Sequence, residues 1–216
     1  MIFTPFAFMA ETAAPGAWTP ADFTNVQYWF TADAGVTESG GVVSAWTDQI
    51  NSFQYDNAVN SPTLTTSATL NGQNVISFNG VTQIQYIYAS NPIASNGGGD
   101  WTVLQVMDVT GAGNNGAFTA YGEVGTSSGR FQNDTFGGNY RHFNQGFGGT
   151  YTVESPLTTG AKAWKTRYDT SAGNNYYAVN TLTETLGQSG GTVGQDWAPN
   201  AVLVIGTLLN SRSNPT

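Results

Sequence analysis

The sequence predicts an all-β fold, an antiparallel sandwich entered through an extended N-terminal arm, and three observations predict it. Short runs of β-branched and aromatic residues recur about every 8 to 12 residues, with Gly, Asn and Ser turn signals between them. No window keeps apolar residues at helical spacing for three turns, so any helix is expected to be a single turn. Charged residues make up only 9% of the 216, against roughly a quarter in average globular proteins, while Thr, Asn, Gly and Ser supply the polar surface. Such a neutral exterior suits a β-rich protein facing the outside better than a cytosolic enzyme.

Residues 1–20 read as an arm. Phe3, Phe6, Phe8 and Met9 are large and apolar, and a small Pro-containing stretch, Ala13-Ala14-Pro15-Gly16, separates them from a new start at Trp18. Each such side chain left in water forgoes about 1.5–3 kcal/mol of burial, so the arm is expected to dock on a partner surface as an assembly anchor. The segment is short and apolar like the core of a signal peptide, but it lacks a basic start and carries Pro5, and is read as part of the working molecule.

Residues 21–216 are predicted to form one sandwich, a size at which a single β-domain buries a large core. Strands are expected near 26–30, 42–47, 63–66, 74–78, 83–88, 101–108, 117–123, 130–135, 139–144, 150–154, 162–168, 175–180 and 201–207. Val43, Ala45 and Thr47 alternate with Val42, Ser44, Trp46 and Asp48, and Val75 to Phe78 is β-branched and aromatic. Gly40-Gly41, Asn71-Gly72 and Asn79-Gly80 supply the positive-φ positions of tight turns. Trp29, Trp46 and Phe78 are expected in the core. Tyr86 and Tyr88 share a strand face with Ile84 and are expected in core or interface, and Asp33 and Asp48 read as loop carboxylates accepting backbone N–H groups.

Charge is lopsided. Residues 1–129 carry nine acids and no base, and residues 130–216 carry five acids and six bases, which sums to the net −8. A nucleic-acid partner requires a concentrated basic face to displace counterions, and none is present; an anionic membrane surface is disfavoured for the same reason. No cysteine is present, which removes disulfides and thiolate metal sites together. No apolar run approaches the roughly 20 residues of a membrane-spanning helix.

The words between Gln27 and Gly80 carry a resemblance. Trp29-Phe30-Thr31-Ala32-Asp33, Val43-Ser44-Ala45-Trp46-Thr47-Asp48 and Val75-Ile76-Ser77-Phe78-Asn79-Gly80 follow one another as in laminin-G-like, concanavalin-A-like jelly-roll domains, of the type found in bacteriophage virion proteins and bacterial surface proteins. Asn79 stands where the family usually has Asp. In the second half, Trp101 to Met107 takes the place of an alternating strand, Asn174 to Asn180 resembles a Tyr-Val-Asn-Gly hairpin strand with Thr181 in place of Gly, and Val202-Leu203-Val204-Ile205-Gly206 resembles the strand ending in Ile-Gly. The likeness spans about residues 22–207. It implies a two-sheet jelly roll that binds sugar or protein, more often than an enzyme. The family normally continues into a last strand, and the edge it would cover is expected to be filled by a neighbour or by residues beyond Thr216.

Chemistry-bearing patterns are sparse. Glycosidases on such a fold aim paired carboxylates at one face of the cleft through period-two spacing, yet no two acids here lie within four positions of each other. His142 is the single histidine, flanked by Arg141 and Phe143, and reads as a surface or turn residue rather than as a triad member. With no cysteine, one histidine and no Asp-rich loop, the only metal chemistry left open is a Ca²⁺ held by carbonyls and one or two carboxylates; no cofactor is implied. The glycine runs lack the Lys-Ser/Thr ending of a phosphate loop. Tyr140, Arg141, His142, Asn144 and Trp197 sit in Gly-flanked contexts and form the candidate ligand-binding set, since a planar ring covers a sugar face while amides and guanidinium bond its hydroxyls. The alternative is that they are ordinary aromatics and polar residues packing at the sandwich edge.

The expectation is a non-enzymatic phage virion component, a capsid decoration or tail-fibre part, with other virion subunits (copies of itself included) as partners and a host-surface glycan as a further ligand. A secreted or cell-surface carbohydrate-binding adhesin and, less favoured, a polysaccharide hydrolase are the rivals.

Overall fold

A computed structural model of the protein describes residues 19–78, 85–89, 99–109, 117–122, 130–136, 139–146, 149–156, 158–188 and 202–206. In chain order the strands are β1 (Val36–Ser39), β2 (Val42–Thr47), β3 (Gln54–Tyr55), β4 (Asn57–Val59), β5 (Thr63–Ser67), β6 (Gln73–Ser77), β7 (Tyr86–Tyr88) and β8 (Trp101–Val109). They continue with β9 (Ala117–Gly122), β10 (Arg130–Phe136), β11 (Asn139–Gly146), β12 (Gly149–Pro156), β13 (Gly160–Asp169), β14 (Asn174–Val179), β15 (Thr185–Gln188) and β16 (Val202–Ile205). The helical pieces among the described residues are two single 3₁₀ turns, Pro20–Asp22 and Ala68–Leu70. Every strand pairing is antiparallel, so the all-β, antiparallel expectation holds. The anchor residues Phe3, Phe6, Phe8 and Met9 lie outside the described residues, as do Ile84 and the Asn79-Gly80 turn.

Three sheets result. The first runs β1-β2-β5-β6, with β3 paired to β2; the second runs β12-β11-β10-β9-β16-β7-β4; the third runs β15-β14-β13-β8. The chain passes from the first sheet to the second across the single residue Asp56, between β3 and β4. Such a corner lets two sheets share one interior.

The principal core gathers Phe30, Val43, Trp46, Tyr55, Ile87, Ala89, Val103 and Ile205 from all three sheets, with Phe78 and Trp101 packed against it. Phe30 meets the Trp46 ring edge-on at 5.3 Å and the Tyr55 ring at 4.8 Å, distances at which offset aromatic pairs attract. The expected core position of Trp46 is therefore observed, while Phe78 packs against that core only partly buried. Tyr88 is also buried, as is its neighbour Ile87.

Three details depart from the sequence reading. Strict alternation would put Val43 and Trp46 on opposite faces, yet both are buried in one cluster. The cause is a β-bulge: Thr37 pairs with Ala45 and Glu38 with Val43, leaving Ser44 as the extra residue. The Ser44 hydroxyl donates to the Thr37 carbonyl at 3.2 Å there. The second departure is that Trp29 is only partly buried, and Phe30 is the core ring. Third, residues 26–29 are not in a strand: the Trp29 N–H donates to the Asp48 carboxylate and its carbonyl accepts from Gln49 N–H at 2.9 Å.

Asp48 behaves as its loop context predicts. Buried at 3% exposure, it accepts from Trp29 N–H at 2.5 Å and from Asn51 N–H at 2.6 Å, tying the 27–31 segment to the turn after β2. Asp33 is exposed on the preceding turn. Two glycines stand at close backbone approaches. A Cβ on Gly35 (φ +76°) would stand 2.3 Å from the Thr47 carbonyl oxygen, and one on Gly206 (φ +100°) 2.5 Å from Phe78 Cδ1. Only glycine accepts both the dihedral and the approach.

The second and third sheets pack face to face through a different kind of interior. Tyr140 on β11 meets Trp164 on β13 edge-on at 4.9 Å, with Val109 beside them. Next to this small apolar cluster, Asn133 on β10 donates to Gln105 Oε1 on β8 at 2.8 Å, and Thr166 on β13 lies 3.4 Å from both Asn133 amide atoms. All three are buried.

Candidate functional site

The structure places Tyr140, Arg141, His142 and Asn144 on one strand, β11. Tyr140 is 1% exposed, and its hydroxyl donates to the Thr158 carbonyl at 2.8 Å. Burial raises its pKa, opposed in part by that bond. The Tyr140 ring is thus buried against Trp164 and bonded at its hydroxyl to Thr158, not presented at the surface. Arg141, His142 and Asn144 follow it along β11, an inner strand of the second sheet that pairs β10 on one side and β12 on the other. They are strand residues, not loop residues. Arg141 stands in register between Asp134 and Glu154, His142 between Asn133 and Val153, and Asn144 between Phe131 and Tyr151. Trp197 lies outside the described residues. Four of the five candidates thus stand on one strand, and of these Tyr140 is buried.

What the fold does assemble is a polar cluster on the outer face of the third sheet. Lys165 and Arg167 are two apart on β13 and point away from Trp164, Thr166 and Tyr168, which are buried on the inner face. Arg167 pairs across the ladder with Tyr176 on β14, and its guanidinium carbon stands 4.1 Å from the centre of that ring, a cation–π contact. Glu184, at the end of the β14–β15 hairpin, closes the group: it accepts from Arg167 Nε at 3.1 Å to both its oxygens, from Arg167 Nη2 at 2.8 Å, and from Lys165 Nζ at 2.6 Å. The hairpin turn itself carries Asn180 at φ +54° where the family pattern has Gly one position later, and the Asn180 side chain accepts from Ala163 N–H at 2.8 Å.

A second pair of acids borders this face. Asp100 Oδ1 accepts from the N–H and hydroxyl of Thr170, at 2.7 and 2.6 Å, and Asp169 Oδ1 accepts from the Ser171 hydroxyl and Ala172 N–H. Asp169 also reaches Arg167 at 3.5 Å. The electrostatics follow from these bonds. The Arg167 and Lys165 hydrogen bonds hold the Glu184 carboxyl down to about 2. The Thr170 bonds lower Asp100, and the bonds from Ser171 and Ala172 lower Asp169. Arg167 is pushed above the ordinary arginine value, first by its bond to Glu184.

Chemically, this cluster favours ionised carboxylates and a permanently charged guanidinium. A general acid requires the reverse, a carboxyl held protonated by an apolar surrounding or a neighbouring carboxylate. Among the described residues no group of three His, Asp or Glu side chains could hold a metal ion. Two phenols of the principal core region are raised, Tyr28 to about 12 by burial and then by Asp48, and Tyr55 well above its ordinary value, again chiefly by burial. The sequence signal for the β13 cluster was available: three of the six bases, Lys162, Lys165 and Arg167, fall within six residues. Its acidic partner Glu184 lies across a hairpin, and nothing local announces it. No helix among the described residues is long and apolar enough to cross a membrane. No protein-family model matches the chain, and no curated protein matches it.

Proposed function

We propose that the chain is a non-enzymatic binding and assembly module, a jelly-roll sandwich of the laminin-G-like, concanavalin-A-like type that serves as a bacteriophage virion component in a decoration or tail-fibre role. The observation that carries the non-enzymatic part is the state of the carboxylates: Asp48, Asp100, Asp169 and Glu184 are each bound to backbone N–H groups, hydroxyls or bases, and every resolved shift among them is downward. These groups hold loops and hairpins in place. The resemblance supports the virion reading, and its words fall on residues with structural work: Trp46 in the core, Asp48 binding a loop, Gly206 at a close backbone approach.

In this reading Phe3, Phe6, Phe8 and Met9 anchor the module on neighbouring virion subunits, copies of the same chain included. Co-purification with particles is the test. Full chain should be incorporated, a deletion of residues 1–17 should stay folded and fail to join, and normal incorporation of the deletion would remove the anchor. A glycan-array signal from the free protein, without particle association, would favour the adhesin reading. Reproducible release of reducing sugar, abolished by replacing one Asp or Glu, would overturn the non-enzymatic reading.

A further inference from the structure

The inner face of the third sheet contains an amide that the protein leaves unsatisfied. Asn175 on β14 is fully buried, and neither its Nδ2 nor its Oδ1 has a hydrogen-bond partner. An unmet buried amide is destabilising, since it gives up its bonds to water, and Leu would fill a similar volume without that penalty. The neighbourhood is polar. Asn175 stands opposite the buried Tyr168 across the β13–β14 ladder, and Thr166, two residues before Tyr168 on β13, lies diagonally from it on the same face. Thr166 is 0% exposed, and its hydroxyl lies 3.4 Å from both Asn133 amide atoms, longer than the roughly 2.5–3.2 Å of well-made bonds. Its hydrogen-bonding capacity is therefore largely unspent.

We infer that Asn175 and Thr166 together hold one internal water molecule between the second and third sheets. Diagonal neighbours across an antiparallel pair stand about 7–8 Å apart, too far for side chains this short to bond directly and close enough for one water to reach both. The ligand has to donate and accept at once, since Asn175 offers both an N–H and a carbonyl oxygen and the hydroxyl offers either. It has to be neutral, because the one charged side chain on this face among the described residues, Lys162, is turned to the Thr159 carbonyl at the end of β13. Buried waters characteristically bridge such groups.

The test uses the whole protein. Cross-relaxation between a long-lived water and the Asn175 side-chain amide protons should be visible by NMR in the wild type, and a high-resolution crystal structure should place that water within hydrogen-bonding distance of Asn175 and Thr166. Thr166→Val and Asn175→Leu should each abolish the water signal. Their effects on the urea midpoint should be non-additive, the double variant differing little from Asn175→Leu alone. A wild type with no long-lived water at Asn175, or with the amide bonded directly to another protein group, would overturn the assignment without recourse to any variant.

Discussion

The interior of this protein has two regions built on opposite principles, and their difference shows how one chain can be both held together and aligned. Where the three sheets meet, Phe30, Trp46, Tyr55 and Ile87 fill space with rings and branched carbon, and the Trp46 indole N–H has its acceptor in the Thr31 carbonyl at 2.9 Å. Between the second and third sheets the filling includes Gln105, Asn133, Thr166 and Asn175, all buried. The first region supplies free energy in proportion to area removed from water. The second contributes little net stability, since its hydrogen bonds replace bonds to water, but the Asn133–Gln105 pair is satisfied in one alignment of the sheets. Sliding either sheet would leave those amides unmet.

The largest expected effect tests the aromatic region. Trp46→Ala should lower the unfolding free energy by about 3–5 kcal/mol, read as a shift of the urea midpoint; an unchanged midpoint would mean that the region does not carry the stability assigned to it. Next comes the backbone that frames it. Gly35→Ala combines a φ of +76° with a Cβ 2.3 Å from the Thr47 carbonyl oxygen, and should destabilise by at least the roughly 1–3 kcal/mol of a strained dihedral, in the same urea experiment.

The polar region should respond differently. Asn133→Ala should cost about 1–3 kcal/mol because it strands the buried Gln105 carbonyl, whereas Asn133→Leu combined with Gln105→Leu should recover much of that loss. Failure of the double variant to exceed the single one in stability would show that these amides add stability and not only alignment.

The smallest effect belongs to the outer cluster. The folded-state pKa of Glu184 lies near 2, below its ordinary value of 4.5, so its contribution is fully present above about pH 4.5 and is lost as pH falls through 2. The group is largely solvent-screened, and exposed pairs contribute about 0.2–1 kcal/mol. Glu184→Gln should therefore destabilise by that small amount at pH 7 and flatten the acid limb of the stability profile between pH 4.5 and 2. A variant with an acid limb identical to wild type would remove the hairpin clamp.

Legibility differed along the same lines. Strands such as β2 and β5 could be read to within a residue because alternation and turn residues are properties of adjacent positions, and Asn71 and Gly72 do take the positive φ their turn requires. The short strands β1, β3, β4 and β15 escaped because they are too brief to show a period and exist through their partners. The burial of Tyr140 escaped for a related reason: its Gly-flanked sequence context does not carry the packing of β11 on Trp164 of β13.

Taken alone, the sequence determined the all-β character, the antiparallel hairpins, the core role of Trp46 and the loop role of Asp48, because each follows from side-chain period, turn chemistry or a carboxylate beside unpaired N–H groups. Tertiary structure alone decided that Ser44 bulges so that Val43 and Trp46 share a core, that Phe30 and not Trp29 enters it, that Arg167 finds Glu184, and that Asn133 finds Gln105. Each of those pairs residues distant in the chain or depends on strand register, and register is set by the sum of contacts across a sheet, which no local stretch of sequence contains.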